Sequence, residues 1–266
     1  MKYFSQIKQE QQNEIQILRN IARPIITEKI MPDKKIKGCL LTGSVARGDA
    51  RTGQFGLMID LALVVENRDD IDLENMFGKD EEPFIPYHCV RINEKIGIAI
   101  ELMEENDLWK IREKPEPVIF AKNESIILDD KTGMLKKWKD EFFIITDEQA
   151  RLRALNYYFR FDYLTGEYRF EKWGHREAWT QIAQNFNEAG ECYCNFLYCI
   201  NKMFIPRKDW LAYLTYEMQN KPQKHDFYMD TLYTSQLDKE SILKKDRVIQ
   251  EIKKWIEQYC RNKDWL

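Results

Sequence analysis

The segment Leu57–Val65 constrains the fold of this chain more than any other, because eight of its nine residues are apolar. A nearly continuous apolar run of this length predicts a strand in the middle of a sheet, covered on both faces. Asp60 interrupts the run, and a carboxylate there is costly unless it is paired, lies at a strand end or binds a metal. The segment therefore predicts a central strand that carries one chemically demanding side chain.

Other β-rich runs lie on either side of this strand in the sequence. We predict further strands over residues 36–42, 84–92, 96–103 and 125–128, with a hairpin turn at 93–95. In the strand 96–103, alternation puts Ile96, Ile98 and Ile100 on one face. Gly97, Ala99 and Glu101 share the other face, where two small residues leave space beside an acid. A solvated Glu101 on an amphipathic edge strand is the alternative interpretation.

The sequence pattern changes near residue 145, where short β-rich runs give way to long amphipathic, aromatic-rich stretches. The predicted fold is therefore an α+β or α/β chain, with a mixed-sheet domain over 1–145 and an all-α helical bundle over 146–266. The helical spans that we predict are 5–22 (limited or kinked by Pro24), a helix opened by a capping box at 146–149, and then 176–204, 209–218 and 241–259, the last with Leu243 facing inward.

Charge and composition exclude several classes of protein. The 41 basic and 44 acidic residues give a net charge of -3, so we do not expect nucleic acid as the partner. Apolar runs fall far short of the ~20 residues that span a bilayer, and the N-terminus has no apolar leader. We expect a cytoplasmic protein with no membrane partner, whose six cysteines are reduced thiols buried as small apolar groups. Cys192, Cys194 and Cys199 lack the second ligand pair that structural zinc requires.

A strand that ends in Gly43–Ser44 and turns into a helix can present backbone N–H groups and a hydroxyl to a phosphate. Gly43 would permit a close backbone approach, and Arg47 lies one turn further along. The same pair of residues is also common in an ordinary turn with a helix N-cap, so its meaning depends on Asp60 and Glu101 downstream.

With those two acids, residues 36–103 resemble the nucleotidyltransferase-fold superfamily. Its pattern is Gly-Ser after a strand, two acids flanking one residue on the next strand, and a third acid on a later strand. The two-domain layout is similar to that of bacterial antibiotic and minimal nucleotidyltransferases with a helical C-terminal domain. The resemblance implies transfer of a nucleoside monophosphate from a nucleoside triphosphate (ATP is the familiar donor) to a hydroxyl or amine of a small-molecule acceptor. One or two Mg²⁺ ions would assist, and antibiotic modification is the most familiar such reaction.

The resemblance assigns a role to each candidate residue. Asp60 and Glu101 would be catalytic and metal-binding, while Gly43, Ser44 and Arg47 would bind the nucleotide. Met58 stands where the family has its first acid, if Asp60 is taken as the second; in the other register Ala62 replaces the second acid. Asp49 is the residue that we predict as a third metal ligand.

Two rival functions remain open at the level of sequence. The first is a catalytically impaired nucleotide-binding protein of the same fold, favoured by Met58, and the second is a protein-interaction module in the helical half. Asp162, Glu188 and Glu191 are candidate bases for an acceptor, and no spacing argument chooses among them. His88 and His175 are interpreted as structural histidines.

Overall fold

The computed structural model describes residues 3–53, 56–80 and 86–266. The chain divides into two compact units, Met1–Ile144 and Ile145–Leu266. A five-stranded mixed sheet with helices forms the first unit, and residues 145–266 form helices with no strand among them. The predicted mixed α/β fold class, with a helical second part, is confirmed.

The sheet has the strand order β3-β4-β2-β1-β5. Its strands are β1 (Ile36–Leu41), β2 (Leu57–Val65), β3 (Tyr87–Arg91), β4 (Ile96–Glu104) and β5 (Ile126–Asp130). The central strand β2 runs parallel to β4 and antiparallel to β1, while β3 and β5 are antiparallel to their neighbours. The prediction that 57–65 is a central strand is confirmed.

Each face of the sheet packs on a different set of helices, as two-sided burial of β2 requires. Ile59 and Leu61 belong to the cluster that also contains Leu18 of the N-terminal helix. Ala62 belongs to the opposite cluster, which contains Trp138. Because successive side chains alternate between faces, Asp60 points to the Trp138 side of the sheet.

The described part of the first unit contains six α-helices: α1 (Phe4–Ile25), α2 (Gly43–Arg47), α3 (Leu73–Phe77), α4 (Glu105–Trp109), α5 (Glu116–Asn123) and α6 (Met134–Phe142). We predicted a first helix that ends at residue 22, limited or kinked by Pro24, and this helix end is wrong. The helix continues to Ile25 and passes directly into a π-helical segment, Ile26–Ile30. Wider π-helical turns are one way in which a helix absorbs a local break in its i→i−4 bonds.

The predicted strand 84–92 is observed as β3, and its first two predicted residues lie outside the described part of the chain. The hairpin turn at 93–95 is confirmed, since the Asn93 side chain accepts hydrogen bonds from the backbone N–H groups of Lys95 and Ile96 at 2.9 and 3.0 Å. Strand β5 runs two residues further than predicted, because Asp129 and Asp130 still pair with β1.

The second unit contains six helices: α7 (Asp147–Thr165), α8 (Glu167–Gly174), α9 (Trp179–Ile200), α10 (Lys208–Leu211), α11 (His225–Leu232) and α12 (Lys239–Asn262). The capping box that opens α7 is confirmed, with hydrogen bonds of 3.0 and 3.2 Å between Thr146 and Gln149.

Three predictions about these helices were wrong. The predicted span 176–204 was too long, because Glu177 and Lys202 adopt positive φ of 53° and 52° just outside α9. The span 209–218 is a short α-helix followed by a 3₁₀ segment rather than one helix. Leu243 is 40% exposed and faces away from the core, whereas Ile249 is buried as expected.

A buried histidine ties α9, the 3₁₀ segment and α11 together. His225 Nδ1 lies 2.7 Å from the Tyr193 hydroxyl, and its Nε2 lies 2.9 Å from the Thr215 hydroxyl. The Thr215 hydroxyl also donates to the carbonyl of Ala212, so we assign the ring proton to Nε2 and let Nδ1 accept from Tyr193. The ring is therefore neutral, and burial lowers the pKa of His225 to about 4.

All six cysteines are buried free thiols, as expected, and burial raises the pKa of Cys39 to about 12. Within the described part of the chain, none of the helices combines the length and apolar character needed for a membrane crossing.

Candidate functional site

The candidate site lies at the turn that follows β1, where Gly43 approaches Asp60 of β2. Gly43 has φ of +67°, and a β-carbon built on it would lie 1.9 Å from the Asp60 carboxylate. The backbone oxygen of Asp60 accepts a hydrogen bond from the Thr42 N–H at 2.8 Å, which fixes the register of the turn. Only glycine can occupy position 43 without displacing Asp60. The close approach expected of Gly43 is therefore made by a carboxylate of the chain itself.

The Asp60 carboxylate is half-buried and makes no hydrogen bond or ion pair with any described residue. Burial raises the pKa of this carboxyl above its usual range, and the nearby Glu101 adds to the rise. Arg47 and Lys122 act in the opposite direction through their positive charges. An unpartnered, partly desolvated carboxylate of this kind is stabilised by any cation or hydrogen-bond donor that reaches it.

Glu101 lies on β4 with the orientation that alternation predicted. In the parallel register Asp60 pairs with Ala99 and Ala62 pairs with Glu101, so the two acids share a sheet face one diagonal position apart. The side chain of Glu101 is not simply solvated, because Lys122 Nζ donates to its Oε2 at 2.5 Å. Lys122 itself is 6% exposed and comes from the C-terminal turn of α5.

Arg47 and Asp49 form a second ion pair beside the turn. Arg47 Nε lies 3.2 Å from Asp49 Oδ1, and the Asp49 side chain is only 4% exposed. Arg47 thus holds Asp49 while its charge also acts on Asp60. Whether Asp49 ligates a metal stays a prediction, and in this structure its carboxylate is engaged by arginine.

Ser44 is half-buried in the first turn of α2, and its hydroxyl makes no hydrogen bond with any described residue. Helix α2 has five residues, so its dipole is small compared with that of a longer helix. The hydroxyl and the adjacent backbone N–H groups are therefore the groups that this turn offers to a ligand.

Met58 lies two residues before Asp60 on β2 and packs against β4. Its partner in the register is Gly97, and a β-carbon on Gly97 would lie 2.4 Å from the Met58 sulfur. The thioether therefore lies across the neighbouring strand at its one glycine position. A soft thioether is not a ligand for Mg²⁺, which takes oxygen donors.

Across residues 3–53, 56–80 and 86–266, no group of three or more His, Cys, Asp or Glu side chains could hold a metal ion. Asp60 and Glu101 share a face of the sheet, but two carboxylates do not make such a group. Because Mg²⁺ usually keeps several waters and takes one or two protein carboxylates plus substrate phosphates, Asp60 and Glu101 are the residues here that could contribute to holding such an ion.

A cavity of about 590 Å³ opens beside Glu101 and Lys122. Tyr87 of β3 forms part of its wall, and burial raises the pKa of that phenol, with Glu101 and Asp60 adding to the rise. Lys114 also lines the cavity, and so does Arg68, which pairs with Asp107. The cavity is therefore lined by the Glu101–Lys122 ion pair and by further side chains of both charges, and its volume is large enough for a small ligand.

Sequence reasoning missed Lys122 and Tyr87. The segment Val118–Lys122 does carry a signal, since a lysine closes an otherwise apolar turn of helix. In the helical unit, the candidate bases Glu188 and Glu191 each pair with a basic side chain, Arg160 and Lys208 respectively. Asp162 pairs with Lys253 in the same way, so the structure gives none of the three a distinct role. His88 contacts the carbonyl of Gly78 at 2.9 Å, as a structural histidine does.

Comparison with known proteins gives little to add. No family model matches the chain, and no curated protein does either. One similar solved structure is the crystal structure of a nucleotidyltransferase-like protein from Exiguobacterium sibiricum 255-15. It shares 11% sequence identity over 91% of this chain and 74% of that chain, with a TM-score of 0.48. A likeness at that level carries no information about the site.

Proposed function

We propose that this protein binds a nucleoside triphosphate at the Gly43–Ser44 turn and transfers its nucleotidyl group to a hydroxyl or amine of a small-molecule acceptor. The observation that carries the proposal is the Asp60 carboxylate, which packs on Gly43, has no partner among the described residues and shares its sheet face with Glu101. A chain has little reason to keep an unpaired carboxylate in a central strand unless a ligand completes it.

Each residue of the turn has a task in this proposal. The Ser44 hydroxyl, which has no hydrogen-bond partner in the described part of the chain, and the backbone N–H groups beside it would donate to phosphate oxygens. Arg47, whose charge already acts on Asp60, would attract the triphosphate into the site. The cavity beside Glu101 would receive the acceptor, with Tyr87 on its wall.

Asp60 and Glu101 would hold a single Mg²⁺ ion, because both are hard oxygen donors on one face of adjacent strands. When bound, such an ion stabilises negative charge on the phosphates and orients them for in-line displacement. Burial raises the pKa of Asp60, and a bound cation would act in the opposite direction.

Titration with a non-hydrolysable triphosphate tests the binding step. Ser44→Ala should weaken binding by about 10- to 150-fold, the equivalent of a charged hydrogen bond of about 1.5–3 kcal/mol. Ser235→Ala, an exposed serine of the helical unit, is the matched control and should leave the affinity unchanged. Equal affinities for the wild type and Ser44→Ala would remove this turn from the binding site.

A second function, nucleotide binding without turnover, is favoured by one specific observation: two residues before Asp60, on the same strand, the chain carries the Met58 thioether, packed at Gly97, and no oxygen ligand. Release of pyrophosphate in the presence of a panel of hydroxyl and amine acceptors separates the two functions. Acceptor-dependent release supports the transferase, and tight binding with no release supports the non-catalytic protein.

A further inference from the structure

Lys122 is a buried cation at the centre of the candidate site. Its side chain is 7% exposed, and its ammonium group donates to Glu101 at 2.5 Å while its charge also acts on Asp60. The helix end that carries it is fixed, because the Ser125 hydroxyl donates to the Lys122 carbonyl at 2.6 Å. The charge is therefore held in place by the fold before any ligand arrives.

The ammonium group has unused hydrogen-bonding capacity. It carries three N–H donors, and Glu101 is its one partner among the described residues. Its two other N–H donors meet no acceptor among the described residues, and an ion pair alone repays the burial of an ammonium group poorly. Lys122 lines the cavity that would receive the acceptor, and its charge acts on Asp60, so those donors face the place where the proposed acceptor and phosphates would meet. Phosphate oxygens are the acceptors that satisfy a lysine of this kind best.

The balance of charges around Lys122 also favours direct binding of a phosphate by this lysine. Lys122 and Arg47 face the three carboxylates Asp49, Asp60 and Glu101, so one negative charge is left over before a triphosphate enters. Without Lys122 the excess would be two, and the anionic ligand would depend wholly on bound cations. Met58 offers no oxygen to a second one.

We propose that Lys122 takes the place of one of the two divalent cations, binding the phosphates directly, so that the protein holds at most one cation and retains triphosphate affinity without any. The proposal rests on the proposed function, because it states which positive charges would offset those of the triphosphate in that site.

Two measurements on the wild type test it. Calorimetric titration with a non-hydrolysable triphosphate should give measurable binding in excess EDTA, and Mg²⁺ should strengthen that binding without being required for it. Counting bound Mn²⁺ by electron paramagnetic resonance, with the analogue present, should give one ion per chain. Two ions per chain, or binding that vanishes in EDTA, would overturn the inference and leave the proposed function standing.

Variants then assign the effect to Lys122. Lys122→Met removes the charge at similar length, and we expect metal-free affinity to fall at least 10-fold. The same variant releases Glu101, so its affinity for Mn²⁺ should rise. A lysine with a merely structural role would lower both affinities together. Lys122→Arg should recover part of the metal-free binding.

Lys245→Met is the matched control, because Lys245 is also a buried lysine but lies on α12 of the helical unit and donates to the carbonyl of Thr234. It should leave both affinities unchanged. Thermal unfolding checks that each variant is folded, and if Lys122→Met is not, the cation count on the wild type still decides. Absence of triphosphate binding under every condition would instead refute the proposed function itself.

Discussion

The contact between Gly43 and Asp60 makes a quantitative prediction about Gly43→Ala. The φ of +67° costs an L-residue about 1–2 kcal/mol. The new methyl group would also lie 1.9 Å from Asp60 Oδ2 and 2.9 Å from its Cγ, an overlap that adds about 1–3 kcal/mol as strand and side chain shift. Urea denaturation followed by circular dichroism should therefore show a total loss of about 2–5 kcal/mol in the free energy of unfolding of the first unit.

Gly133 provides a control that separates the two contributions. It has a similar φ of +74°, but a β-carbon there would meet nothing within 4 Å. Gly133→Ala should accordingly cost only the backbone term of about 1–2 kcal/mol. A double-mutant cycle completes the test, because Asp60→Ala removes the atoms that clash and should restore about 1–3 kcal/mol to Gly43→Ala. If Gly43→Ala costs no more than Gly133→Ala, or if Asp60→Ala restores nothing, Asp60 does not rest on Gly43 and our account of the site fails.

The remaining predictions concern pH and cation binding. His225 has a native pKa of about 4 against an ordinary 6.5, so the unfolded state binds the proton first as pH falls. Up to about 3 kcal/mol of unfolding free energy should be lost between those values. His225→Gln should lack that part of the slope when denaturation is repeated at each pH, and identical slopes would contradict the assignment of a neutral ring. Met58→Asp should strengthen Mg²⁺ binding in a calorimetric titration with a triphosphate analogue, while Asp49→Asn should change it little, because Arg47 already engages Asp49. The opposite pattern would place Asp49, and not a residue at position 58, in the cation site.

Local periodicity was enough to predict the two strands that carry the candidate acids. Alternation placed Glu101 opposite Ile98 and Ile100, and both isoleucines are buried on the other face as expected. The apolar run around Asp60 predicted the central strand for the same reason, since two-sided burial leaves a direct mark on the sequence.

What the sequence did not reveal depends on contacts between distant segments. Lys122 reaches Glu101 from a helix 21 residues further along, and no spacing rule links the two. The pairing of Arg47 with Asp49 and the position of Met58 over Gly97 likewise depend on side-chain directions set by the assembled sheet. Helix ends were missed where a single residue turned to positive φ, as at Lys202, because a lysine there carries no local signal of its own.

The strand order has a consequence for how the chain is made. Strand β1 lies between β2 and β5, and about 65 residues separate the end of β2 from the end of β5. At a synthesis rate of about 5–20 residues per second, β1 waits roughly 3–13 s on the ribosome with one edge unpaired. That edge belongs to a strand containing buried Leu40 and Leu41, so the nascent chain passes through a window of exposure to aggregation or chaperone binding. The helical unit, built from neighbouring helices such as α7 and α9, has no comparable wait for a distant strand.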